Sequence, residues 1–220
     1  MFFFPLTVLI FILFILFLPL LFILVYFNIL TLGFAKLGIS PEATIFILFS
    51  ILIGSFINIP LAKKKLVYRV ESRFFGIFRT PKIEAQAIAI NLGGAIIPIL
   101  LSFYFLFLTG KSGFEIGPIL IATILMIVIS KFLAKTIPGR GVLLPAFIPP
   151  IFSALLALIL APEFAAPTAF ISGVFGTLIG ADLLNLRKAR KYGGFISIGG
   201  AGVFDGIFLV GIVSALLAGF

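Results

Sequence analysis

Apolar residues come in long unbroken runs, and short polar stretches separate them. Runs of about 20 apolar residues are long enough to cross a ~30 Å hydrocarbon core as a helix. A bilayer admits helix bundles or closed strand barrels, and barrels need short alternating segments. The pattern therefore predicts an all-α polytopic transmembrane helix bundle of about seven spans, one integral membrane domain over residues 1–220. The expected spans cover 5–31, 44–61, 83–108, 118–132, 141–160, 168–186 and 192–220.

Two of these spans are expected to be broken. The stretch 144–150 carries Pro145, Pro149 and Pro150. Proline lacks the backbone N–H and clashes with the preceding helical turn. Unwound backbone at membrane depth is tolerated inside protein or beside a water cavity. This segment is expected to line an interior space or to lie at the interface. The stretch 192–202 holds five glycines, each about 1 kcal/mol worse than alanine in a helix. Phe195-Ile-Ser-Ile198, between the glycine pairs, favours strand. The last helix is then expected over about 202–220. The alternative is one long tilted helix from Gly194.

Polar residues outside the spans concentrate in Lys63 to Lys82, with seven basic side chains. Leu66 to Val70 alternates weakly, as a short strand would, and Arg79-Thr-Pro81 reads as a turn. The stretch serves as a topology-setting loop or as a patch for lipid phosphates. Asn58 lies near the end of the second span and Pro60 closes it. Gln86, Asn91 and the Gly93-Gly94 pair in the third span suit close helix packing.

Composition agrees with a membrane protein: 62% of residues are hydrophobic and 10% charged, against roughly 25% charged in soluble domains. The net charge of +9 reads as topology, not as nucleic-acid binding. With the N-terminus inside, fourteen of the sixteen basic residues fall in inside loops; Lys36 and Lys111 fall outside. The positive-inside rule then places the N-terminus in the cytoplasm and Phe220 outside. Membrane lipids are the expected surroundings. The chain has no cysteine, histidine or tryptophan. That excludes thiol nucleophiles, Ser–His dyads and zinc sites built on His or Cys, and no metal or cofactor is expected.

The candidate chemistry lies in the two aspartates of the sequence, Asp182 and Asp205, both in apolar surroundings. A carboxylate at the centre of a membrane helix costs about 2.5–3.5 kcal/mol on insertion scales, and such residues usually face an interior site or ion path. Asp182 lies roughly 7 Å inside the boundary marked by Arg187. On a continuous helix Asp205 would lie roughly 21 Å beyond Lys191. The two reach one depth only if residues 192–201 are extended or looped back.

Paired aspartates on the sixth and seventh spans resemble the intramembrane aspartyl proteases of the presenilin, signal peptide peptidase and prepilin peptidase group. The second motif of that group is Gly-x-Gly-Asp; here Gly199-Gly-Ala-Gly-Val-Phe-Asp205 is glycine-rich, with Phe204 before the aspartate. The first is Tyr-Asp in presenilin and Ala181-Asp182 here. Pro145-Ala146-Phe147 echoes a Pro-Ala-Leu motif, but on the fifth span. Asn91-Leu-Gly-Gly, Gly180-Ala-Asp-Leu-Leu-Asn185 and Gly202-Val-Phe-Asp-Gly206 also resemble a family of uncharacterised archaeal and bacterial membrane proteins, over residues 45–220. The protease resemblance implies a catalytic Asp182/Asp205 dyad sharing a proton. The substrate it implies is a transmembrane helix or signal-peptide remnant. Asn185, Gly199, Gly200, Gly202, Pro145, Ala146 and Phe147 are then candidate substrate contacts. Two rival expectations stand beside it. One is a small cation- or proton-coupled transporter or channel using the same aspartates with Asn185 and Asn91. The other is a non-catalytic scaffold whose aspartates pair with Lys or Arg.

Overall fold

The computed structural model describes residues 37–61, 65–73, 78–137, 141–145, 147–191, 195–200 and 206–218, with Asn28, Thr31, Leu32, Phe34 and Ala35. The expected first span apart from Asn28 and Thr31, the aspartate at 205, Gly202 and Ala146 lie outside the described residues.

Helix α1 (Pro41–Gly54) starts where extended Ser40 accepts a hydrogen bond from the Ala43 N–H at 3.3 Å, with Pro41 at the first helical position. Both residues deal with amides that a helix start leaves unpaired. The helix ends at Gly54, short of the expected Leu61. A Cβ on Gly54 would lie 2.9 Å from the Gly93 nitrogen, and one on Gly93 would lie 2.2 Å from the Ile51 carbonyl oxygen. Backbone therefore meets backbone at this crossing.

The all-α expectation fails in the segment that follows. Strands β1 (Asn58–Pro60), β2 (Lys65–Arg73) and β3 (Phe78–Asn91) replace the end of the second span and the start of the third. β2 and β3 form an antiparallel hairpin with Lys65 opposite Gln86 and Arg73 opposite Phe78. β1 is antiparallel to β3, with Asn58 opposite Asn91. The expected strand at 66–70 is present within the longer β2. The helix expected over 83–91 is strand, and its period-two signal was alanine at 85, 87 and 89. Helix begins at Asn91, whose Oδ1 accepts the Gly94 N–H at 2.7 Å. A short π-helix (Leu92–Ile96) leads into α2 (Ile97–Lys111).

α3 (Gly117–Leu133) matches its expected span closely. Strands β4 (Lys135–Ile137) and β5 (Gly141–Leu143) form a small antiparallel hairpin, and α4 (Ile148–Leu160) follows. Pro149 and Pro150 are buried in the first turn of α4, where a missing N–H costs nothing. α5 (Ala165–Thr177), a π segment (Leu178–Leu183) and α6 (Leu184–Arg190) run as one column. The basic residues Arg187, Lys188 and Arg190 close that column as helix. β6 (Phe195–Ile198) then pairs parallel with β3, Ala87 to Phe195 through Ile90 to Ile198. α7 (Gly206–Ala218) ends the described chain. Residues 195–200 are therefore not helix, as the broken form requires.

The molecule is mostly helical, and among the described residues two helices are long and apolar enough to cross a membrane: Leu92–Lys111 and Pro162–Arg190. The connections give the rest of the plan. Each strand-bearing segment joins the C-terminus of one helix to the N-terminus of the next: α1 to α2, α3 to α4, and α6 to α7. Short links at 112–116 and 161–164 make the other turns. The strands therefore gather at one end of the helices, the end that carries most basic residues. α5 is the central column. Its Phe170 packs edge-on against Phe105 of α2, with ring centroids 5.1 Å apart. α3 buries Ile119, Ala122, Met126 and Ser130 inward and exposes Leu120, Ile124 and Val128 on its outer face.

Candidate functional site

Asp182 owes its position to the way α3 and α5 cross. Gly176 and Gly180 are four residues apart and so share one face. A Cβ on Gly176 would lie 2.4 Å from the Met126 Cβ, and one on Gly180 would lie 2.3 Å from the Ile127 carbonyl oxygen. This small-xxx-small face lets the two backbones touch, as in membrane helix pairs. The column changes to π geometry at Leu178, where one extra residue per turn alters which side chains face inward. Asn185 is buried, and its Nδ2 donates to the Gly180 and Ala181 carbonyl oxygens at 3.1 and 3.0 Å. Those bonds occupy carbonyls in the π segment. Asn185 thus holds the helix that carries Asp182 and does not line the cavity beside it.

Asp182 is half-buried, and its Oδ2 accepts the Gly199 N–H at 2.9 Å. The carboxylate lines a cavity of about 330 Å³, at the small end of the ~300–1,000 Å³ typical of ligand sites. β5 and Leu144 form one wall, and β6 with Gly200 forms another. Thr177 and Ile207 also contribute. β6 has β3 as its one strand partner among the described residues, and β5 has β4. The cavity therefore combines a carboxylate, a hydroxyl at Ser197, apolar side chains and strand edges. Asp182 is the one titratable side chain among the lining residues. No set of three His, Cys, Asp or Glu side chains gathers among the described residues to hold a metal ion.

The other predicted residues divide. Gly200 lines the cavity. Gly199 has φ +80°, and a Cβ there would lie 2.5 Å from the Ala95 Cβ. Its observed role is to hold Asp182 through its N–H. Pro145 and Phe147 are exposed and do not line the cavity. Lining residues that sequence reasoning did not place at the site include Val142, Leu143, Thr177 and Ile207. Ser197 belongs to the strand-like Phe195–Ile198 expected to pair with substrate, but nothing in that tetrapeptide marks its hydroxyl.

No curated protein and no solved structure matches the chain. None of the comparisons supports the expected resemblance to the aspartyl proteases. One family model does match, over residues 52–217, a range that includes both aspartates. The chain belongs to the family described as a protein of unknown function, DUF1614.

Proposed function

We propose that the protein is a multi-pass intramembrane aspartic endopeptidase acting on transmembrane helices or signal-peptide remnants. The observation that carries this reading is a half-buried Asp182 beside a cavity lined by two strands, β5 and β6, each with one strand partner among the described residues. An extended peptide laid there would bond its backbone to a strand edge, as in β-strand addition. Its scissile carbonyl would then lie near the carboxylate. Asp205 is the second carboxylate of the dyad in this reading. One carboxylate takes a proton from water as the water oxygen attacks the carbonyl carbon. The other, protonated, donates to the carbonyl oxygen. Collapse of the tetrahedral carbon breaks the C–N bond, the amine nitrogen takes a proton, and an acid and an amine leave.

Two observations support a membrane setting with several spans. Large apolar side chains such as Phe46, Phe49, Phe107 and Ile159 stand exposed on outer helix faces, more apolar surface than a soluble monomer usually shows. Basic residues fall on the strand-bearing side, so that side is cytoplasmic under the positive-inside rule. Cysteines introduced at Lys64 and Lys188 should resist an impermeant maleimide in intact cells. Labelling of both at the rate of an outside control would reverse the orientation.

The activity test uses purified protein in detergent and a fluorogenic transmembrane peptide. Asp182→Asn and Asp205→Asn should each abolish cleavage, and the double variant should lose nothing further, because the pair acts as a unit. Cleavage at the parental rate by either single variant defeats the proposal. A transporter reading shares one observation, the change to π geometry in the column at Asp182. It predicts that both variants lose cation-dependent flux in liposomes while the parent cleaves nothing.

A further inference from the structure

The cavity wall at β6 is tied to the far side of the sheet by side chains. Asn58 on β1 and Ser197 on β6 belong to strands on opposite edges of β3, since both strands pair with Ala89–Ile90. Register partners share a face of a sheet. Asn58 is opposite Asn91, and Ser197 is opposite Ala89. Residues 89 and 91 of β3 are two apart and point the same way. All four side chains therefore lie on one face. Alanine at 89 is small enough for Asn58 and Ser197 to meet across β3. The Ser197 hydroxyl donates to Asn58 Oδ1 at 2.6 Å. Asn58 Oδ1 also accepts from Asn91 Nδ2 at 3.2 Å. Asn91 is fully buried, gives a second bond to the Ser55 carbonyl at 2.7 Å, and holds the Gly94 N–H through its Oδ1.

At its other side Ser197 controls the turn that touches the carboxylate. Its hydroxyl is within hydrogen-bond reach of the Gly200 carbonyl oxygen, and the Gly200 N–H donates to the Ser197 carbonyl oxygen at 3.3 Å. A hydroxyl has one proton, so Asn58 and Gly200 share it in turn. Between Ser197 and Gly200 lies Gly199, whose N–H is on Asp182. Gly199 also rests on Ala95, one residue after the Gly94 held by Asn91. Both supports of Gly199 therefore lead back to Asn91.

We infer that Asn91, Asn58 and Ser197 form a positioning relay that keeps the Gly199 N–H on Asp182. The inference rests on the reading of Asp182 as the functional carboxylate, and it names what sets that carboxylate's state. Among the described residues, the elements packed against the Asp182 segment carry Lys131 on α3 and Arg187, Lys188 and Arg190 at the end of α6, with Lys135 on the neighbouring β4. All five are exposed, and none lines the cavity.

The test reads Asp182 itself. A hydrophobic carbodiimide modifies protonated intramembrane carboxyls, and mass spectrometry assigns the adduct to its residue. Labelling of Asp182 is followed against pH in the full-length protein in detergent. An N–H donated to the carboxylate favours its charged form, so losing that bond favours protonation. Ser197→Ala and Asn58→Ala should each move the labelling midpoint up by about one pH unit, a tenfold change in proton affinity. Ser197→Thr, which keeps the hydroxyl, should label as the parent does. So should Ser153→Ala, which removes a buried serine between α4 and α5. An unchanged midpoint in either alanine variant overturns the relay. Loss of fold in Ser197→Ala also overturns it, by giving the hydroxyl a structural role. Labelling does not depend on cleavage, so the relay and the proposed peptidase activity fail or stand separately.

Discussion

At the α3–α5 crossing and at the turn after β6, glycine stands hard against another element, yet the two places use different properties of the residue. Gly176 and Gly180 are in helical conformation, and only the absence of a Cβ matters there. Any side chain would push two long columns apart. Gly199 and Gly200 have φ near +80°, a region in which a Cβ crowds the backbone at roughly 1–2 kcal/mol. Gly199 also lacks space, because Ala95 stands against it. The crossing decides where the Asp182 helix lies. The turn decides which donor meets the carboxylate. Bulk at the first should cost the whole fold, and strain at the second should cost the site.

The largest effect is expected at the crossing. Gly180→Ala forces a Cβ onto the Ile127 carbonyl and Ser130, and overpacking of this kind costs about 3 kcal/mol. Denaturant unfolding in detergent should show that loss as a lower midpoint. A stability equal to the parent would mean that the columns can separate cheaply.

Gly199→Ala should come next, at about 2 kcal/mol, from positive φ and contact with Ala95 together. Adding Ala95→Gly removes the contact but leaves φ unchanged. The double variant should therefore recover part of the lost stability. Full recovery would show that space alone mattered and would erase the contrast with the crossing.

The smallest effect isolates the φ contribution. Gly141 has φ +82° with nothing within 4 Å of a Cβ. Gly141→Ala should cost about 1 kcal/mol. A cost as large as that of Gly199→Ala would mean that Ala95 contributes nothing at the turn.

Some of the site was legible before any fold was known. Asp182 stood out because a carboxylate in an apolar run is expensive and needs a reason. The glycines of 192–202 announced a break because each penalises helix, and β6 lies within that break. The prolines at 149 and 150 raised a similar expectation, and a helix N-terminus absorbed them. Residues 83–91 misled because apolar content dominated the reading, while the period-two alanines at 85, 87 and 89 passed unused. For Asn185 and Gly199 the sequence suggests substrate contacts and says nothing of the bonds the fold gives them. Their polar groups satisfy the helix and the carboxylate that form the site.

Composition and local conformational preference settle within a few residues of chain, and they determined the long apolar segments, the charge asymmetry, the break before α7 and the two isolated aspartates. Which strand lies beside which is a matter of register between distant segments. The parallel pairing of β3 with β6 joins residues more than a hundred positions apart. No local pattern in either strand specifies that partner, because a run of alternating residues can bond to any free edge. Only the assembled columns, brought together at Gly54–Gly93 and Gly180–Ile127, leave β3 and β6 adjacent. That adjacency brings Ser197 to Asn58 and the Gly199 N–H to Asp182, so the donor on the carboxylate was decided by how the helices pack.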